Sequence, residues 1–181
     1  MSSYQPPSAS GSPRFCNMGN FMRLPHAENA EGLDFAIVGI PFDTAASFRA
    51  GARFGPNGIR NISAMIKPNN VAMGVNIMDE LKGADLGDVP VIPDYIHETY
   101  AAIENTLTGV LNEGAVPISL GGDHAITLGE LRAIYKKHGK VALVHFDSHL
   151  DLCDTVFGQK YNHGTPFRRA MEEGLIDPSH S

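Results

Sequence analysis

The chain has 181 residues, 43% hydrophobic and 19% charged, a size and balance that suit one soluble globular domain. Its 14 Lys plus Arg against 20 Asp plus Glu give a formal charge of −6, which argues against a nucleic-acid surface and mildly favours cationic small molecules. No apolar run approaches the roughly 20 residues that cross a bilayer, and two cysteines, Cys16 and Cys153, are too few for a disulfide framework, so a membrane protein is excluded and a reducing, cytoplasmic compartment is expected.

Residues 1–13, MSSYQPPSASGSP, lack a basic stretch followed by an apolar core, so they read as a mobile arm rather than a signal or transit peptide. DFAIVGIP, Asp34 to Pro41, is a short apolar run stopped by Gly39 and Pro41, the pattern of a buried strand. The Gly-bearing loop FDTAASFRAGARFGP follows, then NGIRNISAMI, which looks helical, and ADLGDVPVIP, a strand and a turn. From Asp94 to Gly114 the apolar residues Ile96, Tyr100, Ile103, Leu107 and Leu111 recur at helical spacing, with Asp94 as the expected N-cap and Gly114 as the stop. AVPISL is the next strand, GGDH follows it at once, and AITLGELRAIYKKHG is a helix whose last turn is cationic. KVALVHF, Lys140 to Phe146, reads as another strand, apolar on both faces like a parallel strand between helices. Strand and helix alternate, so the expected class is α/β with a mostly parallel sheet, and ligands belong beyond the carboxyl ends of its strands.

The chemistry-bearing residues cluster at those ends. An extended chain past Phe146 puts Asp147, His149 and Asp151 on one face, three ligands at one strand end. His124 follows paired glycines that allow close backbone approach, and it offers a further ligand. Mixed carboxylate and imidazole donors suit a divalent ion such as manganese, with zinc, iron and nickel not separated by this pattern. His163, in YNHGTPFRR, has the residue type for proton transfer. His26, His97, His138 and His180 have no supporting context, and His145 reads as a satisfied core residue of its strand.

GGDH, then HFDSHLD, then HGTPF, in this order and spacing, resemble the ureohydrolase family of arginases and agmatinases. FMRLP and GIPFDTAASFRAGARFGPNGIR resemble its agmatinase branch, in which such a loop helps to form the substrate pocket. The resemblance implies an arginase-like three-layer α/β fold and two manganese ions bridged by a hydroxide that attacks a guanidinium carbon and releases urea. His124, Asp147 and Asp151 would hold the first ion, Asp147 and His149 the second, and His163 would shuttle protons. Ser148 stands where Ala is common and Leu150 where Thr is common, and neither change removes a ligand. The implied reaction is agmatine to putrescine and urea. A guanidino acid is the nearest rival, because Arg168 and Arg169 in FRR offer partners for a substrate carboxylate.

Members of that family continue into a motif S-x-D-x-D-x-x-D-P that brings two further metal-binding aspartates, and they assemble as trimers or hexamers. That motif is absent here, so residues 14–181 read as the amino-terminal part of one ureohydrolase domain lacking its last strands, and a non-catalytic fragment or assembly subunit is the reading from another class. The 181-residue chain is expected to release little or no urea by itself with manganese present. Release at rates usual for the family, in a direct urea assay, overturns this expectation.

Overall fold

The computed structural model describes residues 19–181, so the expected arm at residues 1–13 and Cys16 lie outside the described residues. Strand β1 (Phe35–Ile40) is the centre of the fold, and its neighbours sort by parity. Ala36, Val38 and Ile40 face one cluster with Ile103, Leu107, Ala125 and Ala133, while Ile37 joins Leu24, Met78 and Leu120 on the other side, with Phe35 packed against that group. Each face is almost wholly buried, the behaviour of a parallel strand covered on both sides.

The first face is covered by two helices and the second by local elements. Helix α1 (Gly55–Ser63) follows β1 and its loop. A two-residue hairpin, β2 (Asn69–Asn70) and β3 (Val75–Asn76), and the single turn α2 (Ile77–Glu80) lead into β4 (Gly83–Asp88). Helix α3 (Ile96–Asn112), strand β5 (Val116–Gly121), helix α4 (Thr127–His138) and helix α5 (Pro166–Glu172) complete the order. The sheet order is β4-β1-β5, all parallel, with α3 and α4 packed on each other over the Ala36 face. Helix, sheet and helix make the three-layer α/β arrangement expected from the sequence.

The helix starts differ from expectation in one respect. Asp94 has φ +68° and lies outside α3, whose N-cap position is Tyr95 without a side-chain bond. Its backbone N–H goes instead to Thr44 Oγ1 at 3.1 Å, so the turn residue serves the loop after β1 rather than the helix. At the other end Gly114 stands at φ +86° as expected of a helix stop.

Lys140–Phe146 does not form the expected strand. Val141 makes an isolated bridge with Ile176, and the segment has no ladder partner among the described residues. Val144 is 79% and Phe146 94% exposed, because an apolar extended run becomes a buried strand only where another backbone edge receives it. The outer edge of β5 is open in the same way, with Val116 and Ile118 exposed.

One polar group is fully committed inside the second layer. Arg60 on α1 forks onto both oxygens of Asp85, at 2.8 and 2.9 Å, reaches Asp88 Oδ1 at 2.5 Å and donates to the Gly87 carbonyl at 2.9 Å. Arg60 is 8% and Asp85 1% exposed, and Gly39 makes room for the pair, since a Cβ there would fall 1.9 Å from Asp88 Oδ1. Removing the cation leaves a buried carboxylate uncompensated. Arg60→Met is therefore expected to lower the stability of the chain by roughly 3–5 kcal/mol, read by urea unfolding, with Arg60→Lys recovering part of the loss. A change below about 1 kcal/mol would place this pair among the weak ones.

Candidate functional site

The carboxyl ends of β1 and β5 come together through a glycine. Gly122 has φ +85°, and a Cβ on it would lie 2.4 Å from the Ile40 carbonyl oxygen and 2.9 Å from that of Phe42. No other residue allows this approach. It brings the Asp123 N–H onto the Phe42 carbonyl at 2.8 Å, and the Asp123 side chain then accepts from Ala45 N at 3.0 Å and from Ala125 N at 2.9 Å. Asp123 caps the short 3₁₀ turn His124–Ile126 that leads into α4, so it sets where His124 points. Burial pushes the Asp123 carboxyl up to about 6, against the pull of those two backbone N–H groups and of His163.

His124 Nδ1 lies 2.5 Å from Asp151 Oδ2 and 3.5 Å from Asp147 Oδ2. One nitrogen and two carboxylate oxygens thus converge on one place. His149 does not share that face as the extended reading expected. The backbone bends at Ser148–His149, the His149 N–H turns back onto Asp147 Oδ1 at 3.0 Å, and Asp151 takes φ +46°, so the run is not extended. Asp147 accordingly spans two sides, Oδ2 toward His124 and Oδ1 toward the His149 ring, whose Nδ1 is 3.8 Å away and whose side chain is 80% exposed. The His149 backbone N–H holds the Asp147 carboxyl below its usual range, and His124 and His145 add to this.

His163 approaches from another element. Its Nδ1 is 2.7 Å from the Ala45 carbonyl, an acceptor only, so Nδ1 carries a proton, and Nε2 lies 3.3 Å from Ser47 Oγ. Asn162 also donates to the Ala45 carbonyl, at 2.7 Å. Ser47, His124, Asp147, His149, Asp151 and His163 line one open cleft of about 780 Å³. Cys153, exposed and unpaired as a thiol, lines it too.

Two readings from sequence change here. The FRR arginines do not face the cleft. Arg169 is 2% exposed and donates to Asp154, Glu172 and the carbonyls of Asp154 and Lys160, and Arg168 pairs with Glu172 at 2.9 Å. Both arginines lie on helix α5, which begins at Pro166 after the N-cap position Thr165, Pro being favoured at a first helical position. His145 is not a satisfied core residue either. Its ring meets Phe167 of α5 at 4.5 Å and His124 at 5.2 Å, and its Nε2 is buried without a hydrogen-bond partner, 3.5 Å from Asp147 Oδ2. The signal was its place two residues before Asp147, on the same side of an extended run.

An α/β domain with imidazoles and carboxylates gathered beyond the ends of a parallel sheet is the class that fold and site define. The sequence profile of the arginase family matches residues 33–181, and the chain belongs to that family. A guanidinobutyrase of Pseudomonas aeruginosa is 48% identical over 177 residues, covering 96% of this chain and 56% of that protein. A mitochondrial agmatinase of Gallus gallus is 45% identical, covering 96% of this chain and 51% of its own. Among solved structures, the proclavaminate amidino hydrolase of Streptomyces clavuligerus superposes with a TM-score of 0.89 at 38% identity, over 93% of this chain and 56% of that one. The chain thus spans about half the length of the relatives it matches. Those relatives include a mitochondrial form, so kinship does not assign the cytoplasm expected from cysteine content. Among the described residues no helix is long and apolar enough to cross a membrane.

The loop that carries Ala45 and Ser47 hangs on Asp43, whose Oδ2 accepts from Gly51 N at 2.6 Å and Arg53 N at 3.2 Å and whose Oδ1 meets the Arg53 guanidinium. Arg53 beside it lowers the Asp43 carboxyl to about 2. A carboxyl held below its unfolded value lends stability that is complete above that value and is lost on acidification. The contribution, about 1–2 kcal/mol, should be full above pH ~4 and fade between pH ~4 and ~2. Urea midpoints across this range are expected to fall less steeply for Asp43→Asn than for the wild type, and parallel curves would remove Asp43 from the account.

Proposed function

We propose that this chain carries the first part of a two-metal centre of a hydrolase that splits a guanidino compound into urea and an amine. The observation that carries the reading is the convergence of His124 Nδ1 with the Oδ2 atoms of Asp147 and Asp151. The donor set fits a divalent cation of manganese type: nitrogen and oxygen atoms only, no thiolate, and an Asp147 carboxyl kept ionised by its neighbours. His124, Asp147 and Asp151 would hold one ion, and Asp147 with His149 would hold another, Asp147 serving both because its two oxygens face opposite ways. Bound there, the ions supply the Lewis acidity that activates water and steadies the charge developing at the guanidinium carbon.

The chain's own residues do the rest. The His149 N–H on Asp147 Oδ1 sets the turn of the shared carboxylate. His163, with its proton fixed at Nδ1 by the Ala45 carbonyl, has Nε2 free to take a proton and return it to the departing amine. Ser47 at 3.3 Å keeps that nitrogen turned into the cleft.

Agmatine, giving putrescine, remains the reading from sequence. A guanidino acid stands beside it on a different footing, the 48% identical guanidinobutyrase, because FRR is committed to Asp154 and Glu172 and no longer argues for a substrate carboxylate. Assembly into trimers or hexamers belongs to the same proposal.

Two measurements test it. Manganese titration of the 181-residue chain is expected to show binding that Asp147→Asn weakens at least about tenfold. A chain in which residues 1–181 are continued by the matching carboxyl-terminal part of the guanidinobutyrase is expected to release urea with manganese. In that chain His163→Ala should lower kcat about 100-fold with manganese affinity unchanged. Equal kcat in both chains removes His163 from the mechanism.

A further inference from the structure

His145 is the one imidazole at the cluster to which the proposed chemistry gives no task. Its surroundings are specific. The ring is packed at 60° to Phe167, a residue only 4% exposed, and tilted by 39° from the His124 ring. Its Nε2 is buried with no hydrogen-bond partner, and one donor atom from each of His124, His145 and Asp147 lies within 4.8 Å of the others. Asp147 Oδ2 is 3.5 Å from His145 Nε2 and 3.5 Å from His124 Nδ1, while Oδ1 is taken by the His149 N–H.

A buried ring nitrogen left without a partner is costly, and closing the gap to Asp147 Oδ2 by roughly half an ångström relieves it. Phe167 and His124 hold the imidazole plane, so the movement falls to the carboxylate, which turns about the axis already pinned at Oδ1. We propose that His145 is a positioning residue for the metal centre: its Nε2–H, set against Asp147 Oδ2, fixes the carboxylate in the orientation that faces His124 and Asp151. The inference rests on the reading of Asp147 as a metal ligand. A donor there lowers the ordering cost of binding, since one oxygen is held from the backbone and the other from a clamped ring.

The test uses the 181-residue chain and two readouts. In the ¹⁵N-labelled protein, two-bond proton–nitrogen correlations are expected to show His145 as the Nε2–H tautomer with a slowly exchanging proton that Asp147→Ala makes fast. In manganese titration, His145→Phe, which keeps an aromatic ring beside Phe167 and removes the donor, should weaken binding about tenfold or more. His145→Gln, which restores an N–H, should recover most of it. An Nδ1–H tautomer overturns the proposal, and the wild-type spectrum settles this even if His145→Phe fails to fold. His145→Phe within twofold of the wild type overturns it as well. His145→Gln as weak as His145→Phe also does so, by assigning the effect to the ring nitrogen as a ligand. A wild type that shows the Nε2–H contact but binds no manganese overturns the metal reading, and the positioning role with it, and is told apart from the other outcomes by the intact contact.

Discussion

Everything at the cleft depends on one buried carboxylate, Asp123. It joins the loop after β1, through Ala45 N, to the turn that presents His124, through Ala125 N. The Ala45 peptide then works in both directions, giving its N–H to Asp123 and receiving Asn162 and His163 at its carbonyl. Three segments far apart in sequence, around residues 45, 123 and 163, are thereby held in one register by hydrogen bonds between polar groups that burial would otherwise make costly. The geometry of His163 relative to His124 is a property of this chain of bonds rather than of either histidine.

Its placement is possible only because Gly122 lets β5 end against the carbonyls of Ile40 and Phe42. The sequence shows paired glycines before Asp123 and His124, and the physical reason for glycine, close backbone approach, is legible there without a structure. Strand β1, strand β4, helices α3 and α4 and the class of the fold are legible in the same way, because their apolar periods are long and their stops are chemical. The gathering of His124 with Asp147 and Asp151 was readable as separate candidates at separate strand ends.

What sequence did not yield depends on particular contacts, some distant along the chain and one local. Whether Lys140–Phe146 pairs depends on a neighbouring edge, which its own residues cannot supply. That His149 leaves the common face depends on a bend stabilised by the Asp147 side chain, and periodicity is blind to a two-residue bond of this kind. The fate of Arg169 was decided by Asp154, fifteen residues away, which takes one terminal nitrogen of the guanidinium through its side chain and the other through its carbonyl. His145 differs again: alternation placed it beside Asp147, but its apolar company made it read as core, and only the orphaned Nε2 exposes the other reading.

The unpaired run before Asp147 has a thermodynamic consequence. Its amides make no ladder, so the free energy that separates ordered from open conformations of residues 142–147 comes from the Leu143 N–H on Ser181 Oγ, the packing of Leu143 and the side chains around His124, His145 and Phe167. A ligand that grips Asp147 and Asp151 in the ordered form alone shifts that local equilibrium by mass action. Occupancy of the cleft and exchange protection of this backbone are two readings of a single equilibrium.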